Sequence, residues 1–144
     1  MYHRWAALAL VLALCAVPTK QAAGQEAVTQ PRGRKLGVLG QNYPNPFNPE
    51  TRIPFAIAYE GCSGTHVVSV RVYNVLAQVV AIPRLEGEIG LNRPLANLSL
   101  PCGSYVAFWD GKIIKSGKEA ASGVYLYELV VDGQRLQRKA FIAK

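Results

Sequence analysis

The sequence predicts an all-β domain, an antiparallel β-sandwich of six to seven short strands preceded by an export signal. Apolar residues recur two apart in short runs, as strands with one buried face require. The runs are closed by turn dipeptides such as Asp110-Gly111 and Asp132-Gly133, and no later stretch holds a helical period for long. Half of the 144 residues are hydrophobic and only 17% are charged, which excludes a disordered polyelectrolyte.

The first strand is read from Ile53, Phe55, Ile57 and Tyr59, and Pro54, which has no N–H to donate, assigns it to a sheet edge. Val68, Val70 and Val72 form the second, ending at Tyr73-Asn74, and Gln78 to Ile82 the third. Residues 83–104 are the least regular, with Leu91, Leu95, Leu98 and Leu100 offering one short extra strand. Tyr105 to Trp109, Val124 to Val131 and Arg135 to Ile142 complete the set. Asp132-Gly133 joins the last two as a two-residue hairpin, whose type I′ turn wants positive φ at both positions.

Residues 1–24 carry the three parts of a signal peptide. These are a charged start at Met1 to Arg4, a 13-residue apolar run from Trp5 to Val17, and a broken, small-residue tail from Pro18 to Gly24. The run is shorter than the roughly 20 apolar residues that span a bilayer. Cleavage is expected between Gly24 and Gln25; a lipid anchor on Cys15 would want a smaller residue than Leu14 before it. Residues 25–40 are polar, basic and glycine-rich, and read as a flexible linker. The cluster Arg32, Arg34 and Lys35 is read as solvated, because nucleic acid is a poor partner for an exported chain.

Gln41 to Glu50 reads Gln-Asn-Tyr-Pro-Asn-Pro-Phe-Asn-Pro-Glu. Three prolines fix φ and remove three donors, so this string is neither helix nor central strand but a stiff extended lead-in. With Tyr43, Pro44, Asn45, Pro46, Phe47, Asn48 and Pro49, it resembles the opening of the type IX secretion (Por system) type-A sorting domain. The resemblance continues through Tyr73-Asn74, Trp109-Asp110-Gly111, Gly123-Val124-Tyr125 and Arg138 to Ile142, and covers residues 41–144. It implies an Ig-like, fibronectin-III-like sandwich, a fold shared with the C-terminal domain of the flagellar hook-capping protein. It also implies a non-catalytic targeting role, in which outer-membrane secretion machinery recognises the folded domain on its way from the periplasm to the medium or cell surface. Lys139 and Lys144 are the charged recognition candidates. Such domains normally end a large cargo, whereas only residues 25–40 lie between the expected cleavage site and the domain. The alternatives are an extracellular structural or protein-binding module, or a subunit whose Val38-Leu39 segment adds a strand to a neighbour's open edge.

Two departures from the family stand out. Ala77 occupies a position where the family usually has Gly, at a cost if the turn needs positive φ. The segment from Gln78 to Trp109 is about ten residues longer than the resemblance implies. It holds Cys102, while Cys62 sits in the first turn, and counting strands puts both at one end of the sandwich. Signal cleavage removes Cys15, so an oxidising compartment would pair the remaining two. The resulting loop of about 40 residues is worth roughly 4 kcal/mol in the chain-entropy model. Two free buried thiols are the competing reading.

Little else points to chemistry. Three scattered cysteines without a C-x-x-C pair argue against a structural zinc site. His66 has no partner at a fixed spacing, Glu86 and Glu88 read as solvated loop carboxylates, and the glycines at 111, 117 and 123 read as turn residues. No catalytic residue, metal ligand, cofactor or small-molecule substrate is assigned.

Overall fold

The computed structural model describes residues 33–87 and 92–144. Residues 1–24, read as a signal peptide with cleavage expected between Gly24 and Gln25, and residues 25–32 and 88–91, lie outside the described residues. Among the described residues there is no helix, and nine strands are present. They are β1 (Gly37–Leu39), β2 (Thr51–Ile57), β3 (Thr65–Tyr73), β4 (Val79–Ala81), β5 (Arg84–Leu85), β6 (Leu98–Pro101), β7 (Gly103–Trp109), β8 (Gly123–Val131) and β9 (Gln134–Ile142). One sheet has the order β1-β2-β7-β5; the other has the order β4-β3-β8-β9, with β6 also paired to β3. All named pairings are antiparallel.

The alternation read from the sequence is the burial pattern. Thr51, Ile53, Phe55 and Ile57 point inward from β2, and Val68, Val70 and Val72 from β3. Tyr125, Tyr127, Leu129 and Val131 do the same from β8, closing one core with Ala107, Trp109 and Leu100. Truncating a fully buried member such as Ile57 or Leu129 removes about 2–5 kcal/mol. The β8–β9 hairpin runs in unbroken register from Gly123↔Ile142 to Val131↔Gln134. Its turn residues Asp132 and Gly133 have φ of 46° and 84°, as the type I′ reading requires.

Three expectations are corrected. The linker does not extend to residue 40: β1 adds a strand to β2, with Gly37↔Ile57 through Leu39↔Phe55 in register. The segment was illegible because it is three residues long and buries only Gly37 and Leu39. It follows that β2 is not an edge strand, being flanked by both β1 and β7. Pro54 is tolerated because its missing donor falls where β1 ends. Gly40 N donates to the Pro54 carbonyl at 2.8 Å, but the reciprocal bond cannot form, and the Tyr127 hydroxyl reaches across the sandwich to the Gly40 carbonyl at 2.8 Å instead. Finally, the irregular segment supplies two short strands, β5 and β6, rather than one. Leu95 between them is fully buried, donating to the Pro83 carbonyl and accepting from Val70 N, so it fills the gap beside β3 between β6 and β4.

Candidate functional site

The proline-rich string is a clasp, not an extended lead-in. It runs through bends, with cis peptides before Pro44, Pro46 and Pro49, and touches neighbouring strands through two single-residue bridges. At the first, Tyr43 and Arg52 exchange backbone hydrogen bonds of 2.8 and 2.9 Å. At the second, Phe47 lies parallel to Ile142: Phe47 N donates to Phe141 O at 2.9 Å, and Ala143 N donates to Phe47 O at 3.2 Å. The Asn45 carboxamide oxygen accepts from Phe141 N at 3.0 Å. The string therefore ties down the final strand of the chain.

Side chains lock the clasp from beneath. The Phe47 ring is 2% exposed and meets Trp109 edge-on at 5.2 Å, and Trp109 meets Tyr125 at 5.6 Å. Trp109 Nε1 donates to Lys112 O and the Tyr125 hydroxyl to Ala121 O, so both polar ends of the stack are satisfied. A Cβ on Gly111 would overlap the Pro49 carbonyl, and Gly111 has φ of 75°, so two independent constraints demand glycine there. Asp110 Oδ1 accepts from Lys112 N and closes the same turn. Deeper in, Asn42 N donates to the Tyr127 hydroxyl at 3.0 Å, and Asn42 Nδ2 donates to Thr51 Oγ1 at 3.0 Å. Thr51 Oγ1 in turn donates to Pro44 O. Burial raises the Tyr127 phenol above its ordinary range, with the Asn42 bond and Arg138 opposing.

Of the residues singled out in sequence, Asn45, Phe47, Pro49, Trp109, Gly111 and Tyr125 come together here, and Gly123 opens β8 opposite Ile142. Tyr43, Pro46 and Asn48 are exposed on the outside of the clasp. Tyr73 and Asn74 serve elsewhere. The Tyr73 hydroxyl donates to Glu128, a carboxylate 1% exposed that also accepts from Gln137, while Asn74 Oδ1 accepts from Leu76 N and Gln78 N. That Asn74 loop holds Ala77 at φ of 58°, so the turn does need positive φ and the alanine bears the conditional cost. Lys139 is exposed on the terminal strand β9, and its carbonyl accepts from Gln41 Nε2. Lys144 is engaged, with Nζ 3.0 Å from Glu119.

A second cluster was legible only in its cysteine pair. Cys62 and Cys102 are joined in a disulfide with Cα atoms 6.1 Å apart, as the compartment reasoning expected. His66 on β3 is 7% exposed and points at both sulfurs, with Nε2 4.0 Å from Cys62 Sγ and 3.8 Å from Cys102 Sγ. Its Nδ1 is 2.6 Å from Asp132 Oδ2, while Asp132 Oδ1 accepts from Val67 N. The hydrogen bond to His66, then that from Val67, holds the Asp132 carboxyl below its usual range. Tyr59 packs edge-on to the imidazole, and Arg34 stacks over Tyr59 at 4.4 Å. Cys62 lies four residues before His66, a short Cys-x-x-x-His spacing present in the sequence. Cys102 and Asp132 lie 36 and 66 residues away and are brought in by the fold; the Asp132-Gly133 turn sets Asp132 beside the start of β3.

Comparison with protein-family models, with curated proteins and with solved structures finds no match to the chain.

Proposed function

We propose that residues 33–144 are a non-catalytic sorting domain of the type IX secretion kind, an Ig-like sandwich recognised as a folded unit by outer-membrane export machinery. Export through the inner membrane by the signal peptide and release to the medium or cell surface belong to the same proposal. The observation that carries it is the clasp: Asn45, Phe47, Pro49, Trp109, Gly111 and Tyr125, all among the residues bearing the family resemblance, come together in one device that fixes the C-terminal strand. Strand β9 lies at the end of the sheet order, with the clasp covering its C-terminal part and Arg135, Arg138 and Lys139 exposed along it. Charged edge residues discourage indiscriminate strand pairing and leave recognition to a complementary surface.

The test places a periplasmic reporter ahead of residues 33–144 in a host with the machinery. Export of the fusion, and its reduction by Lys139→Glu without loss of fold, supports the reading. A folded fusion that stays in the periplasm refutes it. One observation favours a protein-binding module instead: an apolar groove on the four-stranded sheet, lined by Val38, Pro54, Ala56, Tyr105 and Val106. That reading expects a defined complex or self-association of the purified protein. Strand donation by Val38-Leu39 would have to proceed by exchange, because β1 already pairs within its own chain.

A further inference from the structure

We infer that Cys62, Cys102 and His66 form a zinc-binding site when the disulfide is reduced, so that the bridge and the metal are alternative occupants of one place. Sγ of Cys62, Sγ of Cys102 and a ring nitrogen of His66 all lie within 4.8 Å of one another. Tetrahedral zinc with bonds of about 2.3 Å to sulfur and 2.0–2.1 Å to nitrogen needs S···N edges of about 3.6 Å and an S···S edge of about 3.8 Å. The S···N edges stand at 3.8 and 4.0 Å, already near that size. The two sulfurs are bonded to each other, and reduction frees both as ligands.

The imidazole is set as a metal ligand is set. Its Nδ1 is hydrogen-bonded to the Asp132 carboxylate, which fixes the ring and leaves Nε2 facing the sulfurs. Asp132 is itself immobilised by Val67 and by the hairpin turn, so orientation comes from a rigid element. His66 is buried and both cysteines are half-buried, so the three ligand atoms are shielded without being sealed from solvent. Two thiolates and an imidazole suit zinc better than a hard oxygen-seeking cation.

Reduction and metal loading are separate steps. A phosphine reductant attacks one sulfur, the S–S bond breaks, and hydrolysis gives the phosphine oxide and two thiols. Zinc then binds both sulfurs as thiolates, releasing two protons, and takes the lone pair of His66 Nε2.

The experiment uses the full chain carrying Cys15→Ser, so that Cys62 and Cys102 are its only thiols. Phosphine-reduced protein is titrated anaerobically with Co²⁺ and then Zn²⁺, beside the oxidised protein. The expected result is one Co²⁺ per reduced chain with a thiolate charge-transfer band and tetrahedral d–d bands, displaced by Zn²⁺, and none of these in the oxidised chain. His66→Gln should weaken binding at least tenfold, and Asp132→Asn about 10–100-fold. Bound Zn²⁺ should slow air reoxidation of the thiols tenfold or more. Should reduction unfold the chain, Zn²⁺ must restore its β-sheet circular dichroism, since binding only the folded state stabilises it. Absence of the charge-transfer band, equal Co²⁺ binding by the Cys62→Ser/Cys102→Ser or His66→Gln variant, or failure of Zn²⁺ to refold an unfolded reduced chain overturns the inference.

Discussion

The role of the Tyr127 hydroxyl as a substitute for the N–H that Pro54 lacks makes a measurable demand on stability. Replacing Tyr127 by Phe leaves two backbone groups without partners: the Asn42 N–H and the Gly40 carbonyl. Asn42 is 2% exposed, so its donor has no recourse to water and costs about 1–3 kcal/mol. The Gly40 carbonyl is half-buried and costs nearer 1 kcal/mol. The expected loss is about 2–4 kcal/mol, a large part of the 5–15 kcal/mol that holds a typical domain. Pro54→Ala supplies the absent N–H directly opposite Gly40, in register with β1, and alone should change stability by less than about 1 kcal/mol. In the Pro54→Ala background Tyr127→Phe should therefore cost about 1 kcal/mol less, because the new backbone N–H satisfies Gly40 while Asn42 remains orphaned. Urea unfolding of the four proteins, disulfide intact, gives the coupling. Strict additivity, within about 0.5 kcal/mol, would refute the substitution argument.

Ala77→Gly should stabilise the chain by about 1 kcal/mol by relieving the left-handed strain, read as a rise in the thermal midpoint. Gly111→Ala should destabilise it by about 2 kcal/mol, with loss of the Trp109 near-ultraviolet signal, since the new methyl overlaps Pro49. Removing the disulfide as Cys62→Ser/Cys102→Ser should cost about 2–4 kcal/mol in urea unfolding. Because burial raises the Tyr127 phenol, the folded state keeps that proton above the unfolded value near 10. Stability should be complete below about pH 10 and fall as pH rises beyond it. Tyr127→Phe should flatten that decline, with Tyr105, also raised by burial, supplying a remainder.

What the sequence made legible is what period and local turn chemistry encode. The inward faces of β2, β3 and β8 are visible in the alternation, and the Asp132-Gly133 turn in two residues, because each depends only on neighbours in the chain. Strand β1 was hidden because a three-residue strand has no period; its existence depends on an open edge of β2 more than ten residues away. Pro54 misled for the same reason. The rule that proline marks an edge assumes that nothing else can satisfy the facing carbonyl, and the hydroxyl that does so lies 87 residues distant. The clasp residues were recognisable as a string, but not as the partners of Phe141 and Ala143. His66 was the deepest omission: Cys62 stands four residues before it, but Cys102 and Asp132 reach it only through the fold.

The two candidate sites occupy opposite ends of one hairpin. Gly123↔Ile142, beside Phe47, marks one end of β8–β9, and the Asp132 turn beside His66 marks the other, eight residues along. At about 3.3 Å per residue they are separated by roughly 26 Å, well beyond the 7–10 Å at which perturbations usually cease to couple. The separation makes the proposals independent in practice. His66→Gln should leave export of a reporter fusion unchanged while weakening cobalt binding at least tenfold, and Lys139→Glu should reduce export while leaving cobalt binding unchanged. If His66→Gln also blocks export while the circular dichroism stays native, the disulfide end belongs to the recognition surface. The clasp would then be a support for β9 and no longer the feature that is read.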